Sequence, residues 1–396
     1  MDKINFFPDN LDIQNKKIIL RLDFNVPLKD KIITDDTRIT LCLPFLKKLI
    51  KKKAKIIIIS HLGRPKGIRN PALSLMPIYK YLKKTLQTNV FFFMGNFDDK
   101  VNDKFSHLKE GEVILTENIR YFKEETNDDE NFSRKLASLG DIYINDAFSC
   151  SHRKQSSIHK ITKFVDKSFA GPLLKKEIDA INLVIKNKKK PVTCIIGGSK
   201  ISTKINVITS LIEKINNLVI VGAMANNFLI YKNFKIGKSL IENNTKEIIE
   251  KIYDNVKKNN CEIIIPVDCV VGTSFEGEGK NRDLDQIEEN EIILDIGYKT
   301  VNNIKQIINQ SRTVLWNGPA GYFENKNFLN GTMSIAETIS KNTQEKSLIS
   351  VLGGGDTLAA INKSKNKLYF SHLSTAGGAF LEYLEGKDLP GLSVLK

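Results

Sequence analysis

An α/β fold of two doubly wound parallel-sheet lobes joined by a connector helix is the architecture this sequence predicts. Three observations carry it. Short β-branched runs alternate with helical-period stretches through both halves of a 396-residue chain. One long apolar-periodic helix, with no strand beside it, separates the two alternations. Motifs rich in Arg, Lys, Gly and Asp recur just past the apolar runs, where the ligands of such sheets gather. A chain of this length also exceeds what one hydrophobic core serves, so two domains are expected.

Composition narrows the class. Hydrophobic residues make up 41% and charged residues 27%, ordinary for a globular protein. No apolar run reaches the roughly 18 residues of a spanning helix. The opening Met1-Asp2-Lys3-Ile4-Asn5 lacks the layout of a secretion signal, so a cytoplasmic location is expected. Cys42, Cys150, Cys194, Cys261 and Cys269 form no Cys-x-x-Cys pair and read as buried free thiols, with neither a disulfide framework nor a zinc site. The net charge of +15 comes from 60 Lys and Arg against 45 Asp and Glu. Nucleic acid, an anionic substrate or a lysine-rich surface would each explain it. The lysines are dispersed, as in Lys186-Asn187-Lys188-Lys189-Lys190, without the aromatic interleaving of single-strand binders. Nucleic acid is therefore not the expected partner, and a basic nucleic-acid-binding protein on the same fold is the alternative. The arginines are fewer and cluster at motifs.

In the first half, strands are predicted at Lys17–Asp23, Lys55–Ser60, Val90–Met94, Val113–Thr116 and Asp141–Asn145. A helix carries Ile39, Leu43, Leu46 and Ile50 on one face, and Pro44 should bend it or delay its start. The strand ends are charged. Arg21-Leu22-Asp23-Phe24-Asn25 follows the first, and Arg38 opens the next helix after Asp35-Asp36-Thr37. Ser60-His61-Leu62-Gly63-Arg64-Pro65 follows the second. Glu117-Asn118-Ile119-Arg120 and Asn145-Asp146-Ala147-Phe148-Ser149-Cys150-Ser151-His152-Arg153 come later. Guanidinium groups grip phosphate and carboxylate bidentately, so Arg21, Arg38, Arg64, Arg120 and Arg153, with His61 and His152, suit a small polyanion.

Gly171-Pro172 then opens the connector, with Leu174, Ile178, Ile181 and Ile185 on one face. Beyond it, strands are predicted at Val192–Ile196, Leu218–Val221, Glu262–Pro266, Glu291–Asp295, Thr313–Trp316, Leu348–Leu352 and Leu368–His372. Gly197-Gly198-Ser199-Lys200-Ile201-Ser202-Thr203-Lys204 places Lys200 and Lys204 one helical turn apart, on one face of a helix's first turns. Trp316-Asn317-Gly318-Pro319 leads to Glu324, a carboxylate able to accept ribose hydroxyls. Gly353-Gly354-Gly355-Asp356-Thr357 turns a strand into a helix whose amides attract anions, with Asp356 able to hold Mg²⁺ against a phosphate. Ser371-His372-Leu373-Ser374-Thr375-Ala376-Gly377-Gly378-Ala379 opens another glycine-led helix. Gly237-Lys238-Ser239 is no P-loop, because its partner glycine would be Lys232. Asp268–Asn290, rich in Gly and acid, is expected to be a surface excursion.

The motifs RLDFNVP, DDTRI, SHLGRP, ENIRY, NDAF with a following HR, AGPLLKKE, GGSK-x-STK, WNGPAGYFE, GGGDT and SH-x-ST-x-GGA together resemble the phosphoglycerate kinase family, essentially along the whole chain. The resemblance implies a lobe for phosphoglycerate at 1–170, the connector at 171–190, a Mg-nucleotide lobe at 191–380, and a segment at 381–396 that returns to the first lobe. It implies reversible phosphoryl transfer between 1,3-bisphosphoglycerate and ADP, giving 3-phosphoglycerate and ATP, by domain closure and charge neutralisation, in a monomer. Asp23 and Asn25 become contacts to the substrate's hydroxyl and carboxylate. Arg21, Arg38, His61, Arg64, Arg120, His152 and Arg153 become its basic patch. Lys204 meets the transferred phosphate and Lys200 lies nearby. Gly222, Gly297, Glu324 and Gly354–Thr357 face the nucleotide, with Asp356 on Mg²⁺. Arg38, Lys204 and the amides of Gly377 and Gly378 would neutralise charge in transfer. The chain departs from the family pattern at Val221-Gly222-Ala223 and at Tyr298 after Gly297, and these side chains are expected to crowd the nucleotide pocket.

Overall fold

The computed structural model describes residues 4–98, 101–186 and 189–396. Part of the opening pentapeptide (1–3) and two residues of the lysine run (187–188) lie outside them. The chain forms two compact units, one of residues up to Ile178 with Asp388–Lys396, the other of Asp179–Lys387.

Unit one is built on β1 (Lys17–Arg21), a short β2–β3 hairpin (Leu28–Lys29, Ile32–Ile33), β4 (Lys55–Ile59), β5 (Val90–Phe93), β6 (Val113–Thr116), β7 (Ile142–Asn145) and β8 (Lys167–Ala170). Its six-stranded sheet runs β5-β6-β4-β1-β7-β8, parallel throughout, with Leu20 opposite Ile58 and Ile144. Both faces are covered, which is why these strands read as unbroken apolar runs. The helices are α1 (Thr37–Lys51), α2 (Met76–Thr85), α3 (Val101–Ser106), α4 (Lys123–Thr126), α5 (Glu130–Ala137) and α6 (Pro172–Ile185), and the division between units falls inside α6. Pro44 does not delay α1, which starts at Thr37 and runs through it. An interior proline costs about 3 kcal/mol. Burial of Phe45, Leu46 and Leu49 just beyond it offsets that at about 1.5–3 kcal/mol each.

Unit two contains β9 (Val192–Ile196), β10 (Asn217–Ile220), β11 (Glu262–Ile264), β12 (Asp268–Gly272), β13 (Lys280–Asp283), β14 (Ile292–Ile296), β15 (Thr313–Asn317), β16 (Ile349–Gly353) and β17 (His372–Ser374). Its parallel sheet runs β11-β10-β9-β15-β16-β17. The expected excursion at Asp268–Asn290 is instead two strands of an antiparallel sheet, β13-β12-β14, and the strand near Glu291–Asp295 belongs there too. Cys269 and Val271 on β12 pack with Leu229, Ile236, Leu284 and Ile287 in a small core of their own. The last strand comes four residues late because Ser350 and Ser371 exchange amide-to-hydroxyl bonds of 3.0 and 3.1 Å ahead of β17, in place of a backbone ladder. The helices are α7 (Ile205–Ile212), α8 (Ala225–Tyr231), α9 (Lys246–Lys258), α10 (Tyr298–Gln310), α11 (Asn330–Gln344), α12 (Gly355–Ile361) and α13 (Gly378–Leu384). Ser210 in α7 bonds to the Leu384 carbonyl at the end of α13. The segment that rejoins unit one therefore begins only at Asp388. Its α14 (Pro390–Ser393) is held by Gly391 N to Ser151 O at 2.8 Å, and Leu395 O accepts from Asn5 N at 2.6 Å.

Each parallel sheet changes direction at one strand pair. From β1 the chain moves to β4 on one side, and from β7 to β8 on the other; β9 and β15 divide unit two in the same way. A doubly wound sheet opens a crevice at the carboxyl ends of such a pair.

Candidate functional site

At the β1/β7 pair the site is made of side chains. Ser60, one residue past β4, accepts from Phe24 N and donates to Leu22 O, both at 2.9 Å, and so ties together the exits of β1 and β4. Asp23 lies beside it. Burial alone would raise its carboxyl, but Arg38 Nη1 at 2.7 Å, the His61 ring, the Ser149 hydroxyl and Asn25 N hold it at about 2. Arg38, in the first turn of α1, also donates to Asn25 O at 3.2 Å, and the Asn25 side chain accepts from Gly63 N at 2.8 Å. Arg38, Asp23, Asn25 and the Gly63 loop are thus one network.

His61 is buried, and its pKa is pushed well below the ordinary value by that burial and by Arg21, Arg120 and Arg38, against the pull of Asp23. It is neutral near pH 7, so its 3.9 Å contact with Asp23 is dipolar and not an ion pair. Arg21 Nη2 lies 3.2 Å from Nδ1, and an arginine can only donate, so the proton sits on Nε2, facing Asp23. Arg21 itself corrects the expected patch. It is fully buried and spends its donors on Ser157, the Leu22 carbonyl and His61. As the last residue of a central strand it supports His61 from beneath and offers no surface to a ligand.

Arg120 reaches the rim through a 2.9 Å bond to Gly63 O. Among the described residues nothing accepts from its buried Nε. Burial, with Arg21 and Arg153 as like-charged neighbours, lowers its pKa to about 10. Arg153 Nε contacts His152 Nε2 at 3.1 Å. Burial and Arg153 press the His152 pKa down to about 4. Arg64 is exposed.

At the β9/β15 pair the site is made of backbone. A Cβ on Gly197 would overlap Pro319 O, and one on Gly318 would overlap Gly197 O. Gly222 (φ +70°) closes against Gly198 N, where a Cβ would come within 2.7 Å, and Gly198 and Gly318 have φ of +114° and +99°. Lys204 reaches into this knot, donating to Gly197 O and, at 2.8 Å, to Asn317 Oδ1. Burial lowers its pKa to about 8, against the opposing pull of Asp356 and Cys194. The expected helical face of Lys200 and Lys204 is absent: Lys204 lies in a turn, α7 starts only at Ile205, and Lys200 precedes that turn and is exposed. The carbonyls of Gly197 and Asn317 draw Lys204 inward, away from its neighbour.

Asn317 Nδ2 donates to Gly353 O at 2.8 Å, and Gly354 follows at φ +101°. Thr357 is buried. Its hydroxyl accepts from Gly318 N at 2.7 Å and donates to Gly353 O, so it locks the turn and has only its backbone left for a ligand. Asp356 is exposed at the first turn of α12. Gly377 caps α13, which Gly378 opens. Glu324 is exposed, and its backbone carbonyl accepts from Lys363 Nζ at 3.1 Å. A Cβ on Gly297 would overlap the Asp268 carboxylate. Val221 does not crowd the pocket as expected. It is fully buried among Val219, Ile195 and Trp316, while Ala223 remains half-exposed.

Ser60, Ser149, Asn118 and Asn317 were not singled out in the sequence, though each lies in a quoted motif within four residues of a strand end. Glu242 carried no signal at all. It accepts from Ser202 N at 3.0 Å and from the Ser202 hydroxyl, pinning the lysine turn.

Among the described residues no group of three His, Cys, Asp or Glu could enclose a metal. The lone exposed carboxylate of Asp356 at an amide-lined turn fits Mg²⁺ that arrives with nucleotide phosphates, which needs only one or two protein carboxylates.

Residues 8–387 match the phosphoglycerate kinase family. The chain belongs to the phosphoglycerate kinase family. Among its relatives, the phosphoglycerate kinase of Wolbachia pipientis wMel is 44% identical over 390 residues, 98% of each chain. That of Dictyoglomus turgidum is 41% identical over 387 residues, 97% of this chain and 96% of the relative. The phosphoglycerate kinase structure from Coxiella burnetii aligns with a TM-score of 0.86 at 36% identity, covering 98% of this chain and 97% of the other. The one from Pyrococcus horikoshii OT3 gives 0.81 at 29%, covering 98% of each. Phosphoglycerate kinases transfer a phosphoryl group between 1,3-bisphosphoglycerate and ADP. Nothing in these comparisons supports a nucleic-acid-binding protein.

Proposed function

We propose that unit one binds 3-phosphoglycerate or 1,3-bisphosphoglycerate at the β1/β7 crevice, that unit two binds Mg-nucleotide at the β9/β15 crevice, and that the residues described above share out the reaction. One observation carries this reading. Arg120, Arg153 and Arg21 are crowded together at a strand-end crevice until burial and mutual repulsion lower the Arg120 pKa to about 10. Such crowding is costly unless a multivalent anion enters.

Arg120, Arg153, Arg64 and His152 take the phosphate of the phosphoglycerate. Asp23 and Asn25 hold its hydroxyl and carboxylate. Arg38, paired to Asp23 and Asn25 in the free protein, exchanges part of that contact for the oxygens of the migrating group. In unit two, Lys204 and Lys200, the amides from Gly354 to Thr357, and those of Gly377 and Gly378 take nucleotide and transferred phosphates. Gly222, Gly297 and Glu324 flank the nucleoside. Mg²⁺, held by Asp356, would neutralise phosphate charge.

The attacking group is a carboxylate oxygen in one direction and an ADP phosphate oxygen in the other. Both are ionised near pH 7, so no general base is needed. The protein contributes alignment and fixed positive charge. In-line attack needs both ligands at one point, and their donors belong to separate units, so closure is part of the proposal. So is a cytoplasmic monomer; five buried free thiols suit a reducing compartment.

The test is a coupled assay of MgATP-dependent phosphorylation of 3-phosphoglycerate by the purified chain. Saturable turnover is expected, with Arg120→Met raising KM for 3-phosphoglycerate far more than KM for MgATP. Equal effects on both would overturn the assignment of the crevices.

A further inference from the structure

A cavity of about 490 Å³ lies in unit one, lined by none of the residues assigned above to phosphoglycerate or nucleotide. Its walls come from the β2–β3 hairpin, the segment 69–77 entering α2, and Glu117 with Tyr121. Three cations line it: Lys31 at the hairpin turn, Arg69, and Lys80 one turn into α2. Leu28, Pro71 and Met76 give the interior an apolar lining. Arg69 is anchored to Met94 O and Asn96 Oδ1 at 2.9 and 3.0 Å, while Lys31 and Lys80 make no ion pair among the described residues. Glu117 is the one acid in the lining, and it is occupied by Leu75 N, Asn118 N and the Ser74 hydroxyl at 2.6–2.8 Å. At the α2 amino terminus the Ser74 hydroxyl accepts from Met76 N at 3.1 Å and Pro77 offers no amide, so the positive charge of this wall comes from its side chains. An apolar hollow rimmed by cations recognises a compact organic anion, with its body inside and its charge at the rim.

We propose that this cavity binds a small organic anion with an apolar body, such as an aromatic carboxylate, and that occupancy is felt at the loop carrying His61, Gly63 and Arg64. The connection is short. Leu73 follows directly from the cavity wall, and a Cβ on Gly63 would meet its side chain at 2.7 Å. Asn118, next to Glu117, donates through one amide to Leu73 O at 2.8 Å and Leu62 O at 2.7 Å. Arg120 then ties to Gly63 O. A ligand that shifts the 70–75 segment therefore moves the loop that Asn25 and Arg120 hold.

The probe is 4-fluorobenzoate, with neutral 4-fluorobenzamide as its isostere, titrated into the full chain and followed by ¹⁹F line width. Saturable benzoate binding is expected, and it should persist with saturating 3-phosphoglycerate present, its affinity shifted by the same factor by which benzoate shifts 3-phosphoglycerate binding. Lys31→Met with Lys80→Met should weaken it about tenfold, equivalent to about 1.4 kcal/mol, and leave the amide's weak association unchanged. Bound benzoate should alter KM for 3-phosphoglycerate with kcat unmoved. Equal binding of acid and amide, displacement by 3-phosphoglycerate, or indifference to the double substitution would overturn the site. Binding with an unmoved KM would overturn the coupling. The line-width arm needs no turnover, so its failure is distinct from failure of the kinase reading.

Discussion

The two switch points, to which we assign ligands of similar charge, are built by opposite means. At β1/β7 the crevice is lined by side chains from five segments, and the backbone mainly positions them. At β9/β15 the side chains are nearly gone: Gly197, Gly198, Gly222 and Gly318 bring backbone within contact of backbone, and Lys204 is drawn in to satisfy carbonyls. A chiral three-carbon acid with distinct hydroxyl, carboxylate and phosphate groups needs distinct partners, which forked guanidinium and carboxylate groups supply. A chain of repeating phosphates needs a row of amides, which only glycine allows the backbone to present closely. The first design is broken by removing charge and the second by adding a methyl group.

The largest effect expected is in the first crevice. Arg38→Ala should reduce turnover by roughly 10²–10³-fold, the scale for losing one donor to a developing charge. The same substitution should raise the Asp23 carboxyl from about 2, since burial is then opposed only by His61, Ser149 and Asn25. Turnover and an NMR titration of Asp23 check the two halves; a folded variant with normal turnover breaks the side-chain account.

In the second crevice the corresponding blow is Gly318→Ala. The residue sits at φ +99° with Gly197 O where its Cβ would go. Strain of about 1–3 kcal/mol adds to overpacking of about 1–3 kcal/mol. Trp316, the chain's one tryptophan, is buried and donates to Gly318 O at 2.7 Å, so its fluorescence reads this unit alone. A urea midpoint that does not fall would show the glycine contact to be dispensable.

The contrast also explains what the sequence disclosed. Parallel strands announce themselves as apolar runs, and the motifs past their ends are plain in the sequence. The antiparallel sheet was not, because Lys280–Asp283 is polar throughout and Gly272–Gly279 between its strands reads as loop. Side-chain direction was equally hidden. Arg21 looks like the other arginines, yet one place earlier in the strand-end count puts it in the core. Val221 likewise is fully buried, in the core that includes Trp316. An Ala223→Gly change should therefore matter less to nucleotide binding than crowding by two side chains would require.

A smaller, graded effect follows from Lys204. Its pKa, lowered by burial from 10.5 to about 8, means the free protein loses this charge as pH rises through about 8. The rate constant kcat/KM for MgADP should fall above that point, by up to tenfold per pH unit. Stability should move the other way. Below about 8 the charged ammonium is buried at full cost, and between about 8 and 10.5 the unfolded chain binds more protons than the folded one, so stability from this residue rises with pH. A pH profile of kcat/KM beside Trp316 midpoints separates the two. A flat kinetic profile from pH 7 to 9 would remove Lys204 from nucleotide binding.

The smallest change in stability carries the sharpest question. Gly355 opens α12, does not have positive φ, and has nothing within 4 Å of where a Cβ would stand. On the protein's own account alanine is the better residue there, by about 0.5–1 kcal/mol, through helix entropy alone. Gly354, one residue earlier, differs: at φ +101°, with a Cβ brought within 2.8 Å of Asn317 Nδ2, it is required by the fold. If phosphate oxygens come down on the α12 amides, the open space beside Gly355 is where they lie, and a methyl group there keeps them off. Gly355→Ala should thus leave the Trp316 midpoint level or slightly raised while weakening MgADP roughly tenfold, about 1.4 kcal/mol. Gly354→Ala should lower the midpoint as well. Calorimetric titration of both variants with MgADP decides the matter. Undiminished affinity in Gly355→Ala would mean that the phosphates rest elsewhere and that the amide cradle stops short of α12.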